Sequence, residues 1–175
     1  MFLLFDIGGT KMRLARSDDG VSFGEPAVIE TPKEYASGMV HFIEAARKLS
    51  GGKPFDTIAG GIAGPFGTQK GSLLMSPNLG NWVGKPFRED LAREFNAPIY
   101  IENDSALASL GEAVSGAGKG SRIVAYLTIS TGVGGARIVD GAIDEKSVGF
   151  EPGHQIIDAD KSLVPNADEI GRAHV

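Results

Sequence analysis

Residues 2–17 read Phe2-Leu3-Leu4-Phe5-Asp6-Ile7-Gly8-Gly9-Thr10-Lys11-Met12-Arg13-Leu14-Ala15-Arg16-Ser17. The apolar run from Phe2 to Ile7 has the length and composition of a buried strand, and Gly8-Gly9-Thr10 punctuates it. Residues 12–17 alternate well enough to form the returning arm of a hairpin. Residues 26–30 supply a third strand, so the chain opens as an antiparallel meander.

Downstream the period changes. Thr31-Pro32-Lys33-Glu34 has the form of a helix start, with Thr as cap, Pro at the first position and Glu at the third. Ala36, Met39, Val40, Ile43 and Ala46 then share a helical face, and Gly51-Gly52 closes the helix. A strand is expected at 57–63, a short hairpin at 66–75, and a helix carrying Phe87, Leu91 and Phe95. A further strand follows at 98–102. Asn103-Asp104 caps a third helix, whose face is formed by Ala106, Leu110, Ala113 and Val114. Residues 115–121 are Gly-rich and read as a link, after which 122–130 and 133–139 form two strands. Three strands followed by alternating helices and strands argue α/β layering. That order is the one found in ribonuclease-H-like, actin-like domains. The expected organisation is a domain over 1–117 and the start of a second, similar domain over 118–175.

Composition narrows the function classes. The chain has 175 residues, 42% of them hydrophobic and 22% charged, which suits an ordinary globular protein. A net charge of −5 with no basic stripe gives no footing for nucleic acid. No cysteine is present, which excludes disulfides, Cys-ligated zinc and a thiol nucleophile. No stretch approaches the roughly 20 apolar residues that span a membrane, and a cytoplasmic location is expected. Glycine is abundant at 25 residues, about twice its usual share, so many backbone positions need either positive φ or a close approach.

Four clusters carry chemistry. In Asp6-Ile7-Gly8-Gly9-Thr10-Lys11 a carboxylate ends a strand above two glycines. The glycines let backbone N–H groups approach phosphate oxygens, Thr10 adds a hydroxyl, and Asp6 suits Mg²⁺ directly or through water. The same letters also make a plain hairpin turn. Ser130-Thr131-Gly132-Val133-Gly134-Gly135 repeats the chemistry between two later strands, and it too reads equally as a Gly-rich hairpin. Glu102-Asn103-Asp104 ends a strand where open α/β sheets gather ligands. Asp104 there suits a base that accepts a hydroxyl proton, and Asn103 pairs with sugar hydroxyls, although both are also preferred helix caps. Glu151-Pro152-Gly153-His154 sets a carboxylate and an imidazole around a tight turn, fit for vicinal hydroxyls or for nothing beyond the turn. Ser115-Gly116-Ala117-Gly118-Lys119-Gly120 is not a P-loop, because Ala113 and Gly120 stand where that pattern needs Gly and Ser or Thr.

Taken together, these clusters resemble the ROK family (repressors, open reading frames, kinases) of bacterial sugar kinases, in order and spacing from residue 2 to about 157. Gly61-Ile62-Ala63-Gly64-Pro65, and Ser76-Pro77-Asn78-Leu79 through Trp82, look like the family's sugar-site loops. The resemblance implies a glucokinase-like enzyme that moves the γ-phosphate of ATP to the 6-hydroxyl of a hexose such as glucose or an N-acetylhexosamine, with Mg²⁺. It assigns Asp104 as general base and Asn103, Glu151 and His154 as binders of sugar hydroxyls, and it places Gly64 and Asn78 in the sugar pocket. It assigns Asp6, Gly8, Gly9, Thr10, Lys11, Thr131 and Gly132 to the nucleotide phosphates, with Asp6 the candidate for Mg²⁺.

The chain departs from the family in two ways. Most members carry a cysteine cluster after the Glu-x-x-His signature, which holds zinc with the His. Residues 158–175 occupy that stretch without a cysteine, so no zinc of that type is expected. Members also run to roughly double this length. The sequence is therefore expected to present the sugar side and both phosphate turns without the adenine-binding body, to be inactive alone, and to form a homodimer or associate with a C-terminal half. The competing readings are a sugar-sensing regulator, a non-catalytic sugar-binding module, and another actin-like kinase such as an acetate kinase. A regulator of this kind carries a helix-turn-helix ahead of the first motif, which here starts at residue 6. Asp104 argues against pure binding. The Glu151 and His154 pair favours a sugar over acetate.

Overall fold

The computed structural model describes residues 1–66, 71–76, 78–129 and 133–144. The chain divides into two compact units, Met1–Asp104 and Ser105–Val175. Thr131, Gly132, Glu151 and His154 lie outside the described residues, as does the stretch where the zinc cluster would fall.

The first unit holds strands β1 (Phe2–Ile7), β2 (Lys11–Ser17), β3 (Ala27–Glu30), β4 (Thr57–Ile62) and β5 (Ile99–Asn103), with helices α1 (Tyr35–Ser50) and α2 (Phe87–Phe95). The sheet order is β3-β2-β1-β4-β5. The meander β1–β2–β3 is antiparallel, and β1, β4 and β5 run parallel. This is the expected α/β order: a meander, then strands joined through helices.

The two-residue strand period sorts side chains between faces. Leu3, Phe5 and Ile7 are buried against the helices, while Leu4 and Asp6 on the other face are half-buried. Phe5 is the junction of the core. Its ring meets Phe42 of α1 edge-on at 5.5 Å and Phe87 of α2 at 5.8 Å. Such pairs each add about 0.5–1.5 kcal/mol beyond burial. Gly60 on β4 makes room for this ring, since a Cβ there would overlap both the Phe5 ring and its carbonyl.

The start of α1 differs from expectation. The helix begins at Tyr35, its N-cap residue is Glu34, and no side chain caps it. Thr31 does not cap the helix; its hydroxyl reaches 23 residues back to the Gly8 carbonyl. A bond to a remote carbonyl in the first glycine turn won over a local one. The buried face is also rotated. Gly38, Met39, Phe42 and Ala46 are buried, while Ala36 is exposed and Val40 is 52% exposed. The Trp82 ring lies directly on Gly38, where any Cβ would overlap it, and so decides which side faces inward. The expected stop holds: Gly51 takes φ 60°, with Arg47 and Lys48 in the last turn.

The expected hairpin is present as an antiparallel bridge between Phe66 and Leu73, with residues 67–70 between them outside the described set. In α2, Phe87 and Leu91 are buried as the spacing predicts.

The second unit contains β6 (Ile123–Ile129), β7 (Val133–Val139) and β8 (Ala142–Ile143) in antiparallel order. Helix α3 (Asp104–Ser115) opens at the boundary between the units. Its buried side chains are Ala106, Ser109 and Ala113, whereas the expected Val114 is exposed. Ser109 escapes the apolar pattern because its hydroxyl donates to the Ser105 carbonyl at 2.7 Å, which satisfies it inside the helix. Gly134 of β7 lies against Ser105, and Gly118 against Val124 and Ala113. The opposite face of β6 leaves Ile123, Leu127 and Ile129 exposed.

Candidate functional site

The parallel strands β1, β4 and β5 end side by side. Asp6 is level with Gly61 and Gly61 with Glu102; Ile7 is level with Ile62 and Ile62 with Asn103. The chain leaves these ends as Gly8–Thr10, as Ala63–Pro65 and as the first turn of α3. In open sheets with parallel strands, ligands collect at this edge. The topology therefore brings Asp6, Gly8, Gly9, Thr10, Gly64, Asn103 and Asp104 together, although they are spread over a hundred residues of sequence.

The first turn is held from several directions. Gly8 N–H donates to the Lys11 carbonyl at 3.0 Å, and Thr31 N–H donates to the Thr10 carbonyl at 2.9 Å. The Thr31 hydroxyl donates to the Gly8 carbonyl at 2.7 Å. Neither Gly8 nor Gly9 has positive φ. Glycine at position 9 answers a close approach instead: a Cβ there would overlap the Asn78 side chain. Among the described residues, no hydrogen bond engages the N–H groups of Gly9 or Thr10. Two open amides on a turn that excludes side chains fit an anionic oxygen. Lys11 is exposed at the start of β2.

Asp6 has a partner outside the clusters read from the sequence. Arg13 sits directly opposite it on β2, and Arg13 Nη1 donates to Asp6 Oδ2 at 2.9 Å. Both side chains are about half exposed, at 51% and 49%, so the pair contributes about 0–1 kcal/mol. Among the described residues no group of three carboxylate or imidazole side chains gathers around a point. An Mg²⁺ at Asp6 therefore fits only as an ion that takes most of its oxygens from a phosphate and water.

The sugar-loop candidates are tied to each other. Gly64 has φ 137°, which disfavours any side chain, and a Cβ would also press on the Met75 carbonyl. Asn103 Nδ2 donates to the Gly64 carbonyl at 3.2 Å, and Asn103 N–H donates to Glu102 Oε1 at 3.0 Å. Part of the polar capacity of Asn103 thus sets the shape of the loop. Ser76, buried, donates to the Ala63 carbonyl at 2.8 Å and closes the loop from the other side. Asn78 is exposed beside Gly9. Asp104 is half-buried in the first turn of α3, where the helix dipole favours a negative charge.

Thr31 and Arg13 are the contributors that sequence reading missed, and Ser76, expected in a sugar-site loop, closes that loop through a backbone carbonyl. Arg13 carried a signal in hindsight, since hairpin register places it opposite Asp6. Thr31 carried none, because its acceptors are remote backbone carbonyls.

The family model described as the ROK family matches residues 3–169. A glucokinase of Thermotoga maritima is 28% identical over 159 residues, covering 87% of this chain and 50% of the relative. A xylose repressor of Caldicellulosiruptor bescii is 35% identical over 100 residues, covering 55% of this chain and 25% of the repressor. Among solved structures, a ROK family glucokinase from Streptomyces griseus, in complex with glucose and AMPPNP, superposes with a TM-score of 0.77 at 26% identity. That match covers 89% of this chain and 51% of the other. The shared architecture is the actin-like ATPase fold. The chain spans about half the length of the glucokinases it matches.

Proposed function

This chain belongs to the ROK family, and from that premise we propose that the protein it forms transfers the γ-phosphate of ATP to the 6-hydroxyl of a hexose, with glucose or an N-acetylhexosamine as first candidate. One observation supports the reading: Asn103 and Asp104 lie at the same sheet edge as the anion-ready glycine turn, with the end of β4 between them.

Asp104 is the general base that takes the proton of the attacking hydroxyl. Asn103, Gly64 and Asn78 shape the hexose pocket, and Glu151 and His154 join them on the strength of the family resemblance. Gly8, Gly9, Thr10 and Lys11 meet the nucleotide phosphates, with Thr131 and Gly132 added by the same resemblance. Bound Mg·ATP supplies the phosphoryl group and neutralises its charge. The protein's task in such a transfer is mostly positioning and electrostatics. Asp6 would be the side chain nearest the metal, with Arg13 holding one of the carboxylate's oxygens. In this reading residues 1–117 carry the acceptor side and 118–175 open the donor side, in the cytoplasm. No described helix is long and apolar enough to cross a membrane.

The second reading is a sugar-sensing repressor, favoured by the xylose repressor among the relatives. Hexose-dependent ADP release across a panel of sugars separates the two. A kinase shows turnover that Asp104→Ala lowers by about 10²–10⁴-fold, whereas a sensor binds sugar without turnover. Specific operator binding together with absent phosphoryl transfer would overturn the kinase reading.

A further inference from the structure

Thr31 belongs to none of the clusters assigned above, yet it makes two hydrogen bonds into the first glycine turn. Its N–H donates to the Thr10 carbonyl at 2.9 Å. Its hydroxyl donates to the Gly8 carbonyl at 2.7 Å. The two acceptors flank Gly9, so a single residue grips the turn at both ends.

The grip has a directional consequence. In a planar trans peptide the C=O and the following N–H point in opposite directions. Holding the Gly8 carbonyl on Thr31 therefore aims the Gly9 N–H away from it. That N–H is one of the two amides that no described hydrogen bond uses.

Thr31 is itself anchored. The next carbonyl, that of Pro32, accepts the Trp82 indole N–H at 3.1 Å. Trp82 is 2% exposed, lies on Gly38, and meets the Tyr35 ring edge-on at 5.3 Å. Four residues before Trp82, Asn78 packs on Gly9 and completes the circuit. Residues 8–10, 31–32 and 78–82 thus form one connected support.

We propose that Thr31 is a positioning residue for the nucleotide: by clasping Gly8 and Thr10 it aims the Gly9 N–H at a phosphate oxygen. The inference rests on the kinase reading above. It extends that reading to a side chain that touches neither substrate.

The test uses the protein at the full length of its relatives, of which this chain spans about half, and three variants, with calorimetric titration of Mg·AMPPNP and, separately, of glucose. Thr31→Val keeps the shape and removes the hydroxyl. It weakens Mg·AMPPNP binding about tenfold, the scale of one hydrogen bond lost from a fixed carbonyl, while glucose affinity stays within about twofold. Thr31→Ser restores nucleotide affinity, and Thr31→Ala behaves as Thr31→Val. Equal loss of both ligands, or no rescue by serine, marks a purely structural residue and overturns the inference. In the unsubstituted chain, Mg·AMPPNP shifts the amide resonances of Gly9, Thr10 and Thr31 together. Shifts confined elsewhere overturn the inference even if the valine variant fails to fold. If the unsubstituted chain binds glucose and Mg·AMPPNP while Thr31→Val matches it, this inference alone falls. If it binds neither, the kinase reading falls and takes the inference with it.

Discussion

Gly9 and Asn78 approach so closely that no side chain fits at position 9: a Cβ there would overlap the Asn78 Cβ and lie 3.1 Å from its Cγ and 3.3 Å from its Cα. The turn proposed for phosphate and the loop proposed for sugar are therefore in direct contact. Gly9→Ala must push Asn78 aside, at a cost of about 1–3 kcal/mol for inserting a methyl into a packed contact. Urea unfolding measures that loss, and glucose titration of the same variant shows weakened binding. A variant with unchanged stability and unchanged glucose affinity would show that the two loops are not in register.

Asp104 opens α3 at the end of β5, next to the parallel strand ends. The general-base role proposed for Asp104 is worth about 10²–10⁴-fold in rate, so on that reading Asp104→Ala lowers kcat by that factor in hexose-dependent ADP release. Glucose affinity changes far less than kcat. A variant that keeps most of its turnover removes Asp104 from the chemistry.

Trp82 is the only tryptophan in the chain, and it is buried with its indole N–H on the Pro32 carbonyl. Trp82→Phe loses that bond and leaves a void beside Gly38. The expected destabilisation is about 1–3 kcal/mol, followed by circular dichroism. In the unsubstituted chain, tryptophan emission shifts to the red on unfolding and reports this seam alone.

Asp19 closes the turn after β2. Its carboxylate accepts N–H from Val21 at 2.9 Å and from Ser22 at 2.8 Å, and also the hydroxyls of Ser22 and Ser17. The Val21 N–H and then the Ser22 N–H hold its carboxyl well below the usual carboxylate range. A depressed folded value means that the contribution to stability is fully present above the unfolded value near 3.9 and is lost as pH falls below it. Asp19→Ala is therefore less stable than the parent at pH 7, and the difference shrinks between about pH 4 and pH 2. A difference that grows toward acid contradicts the turn as drawn.

Much of this protein can be read without coordinates. The run Phe2–Ile7, the alternation after Lys11 and the glycine stop at Gly51 are local signals, and the structure matches them. The family likeness, built from clusters spread along the chain, agrees with a family model over residues 3–169. The local reading fails where a remote partner outbids a local one. Thr31-Pro32-Lys33-Glu34 has the letters of a helix cap, yet Thr31 bonds Gly8, and Glu34 accepts from Asn81 Nδ2 at 2.7 Å. Helical periodicity placed Val40 on the buried face, but the Trp82 ring on Gly38 turned that face elsewhere.

Strand period and glycine placement, which act through nearest neighbours along the chain, set out most of the order of elements, while the family likeness came from the motif clusters, such as Asp6–Lys11 and Glu102–Asp104, taken together. The tertiary structure alone decided which atoms meet at the sheet edge. It set Arg13 on Asp6, the Asn103 amide on the Gly64 carbonyl, and Asn78 against Gly9. It also converted Thr31 from an expected cap into a clasp on the first glycine turn. Contacts of this kind depend on strand register and on side chains arriving from distant segments. No spacing within a single segment encodes them.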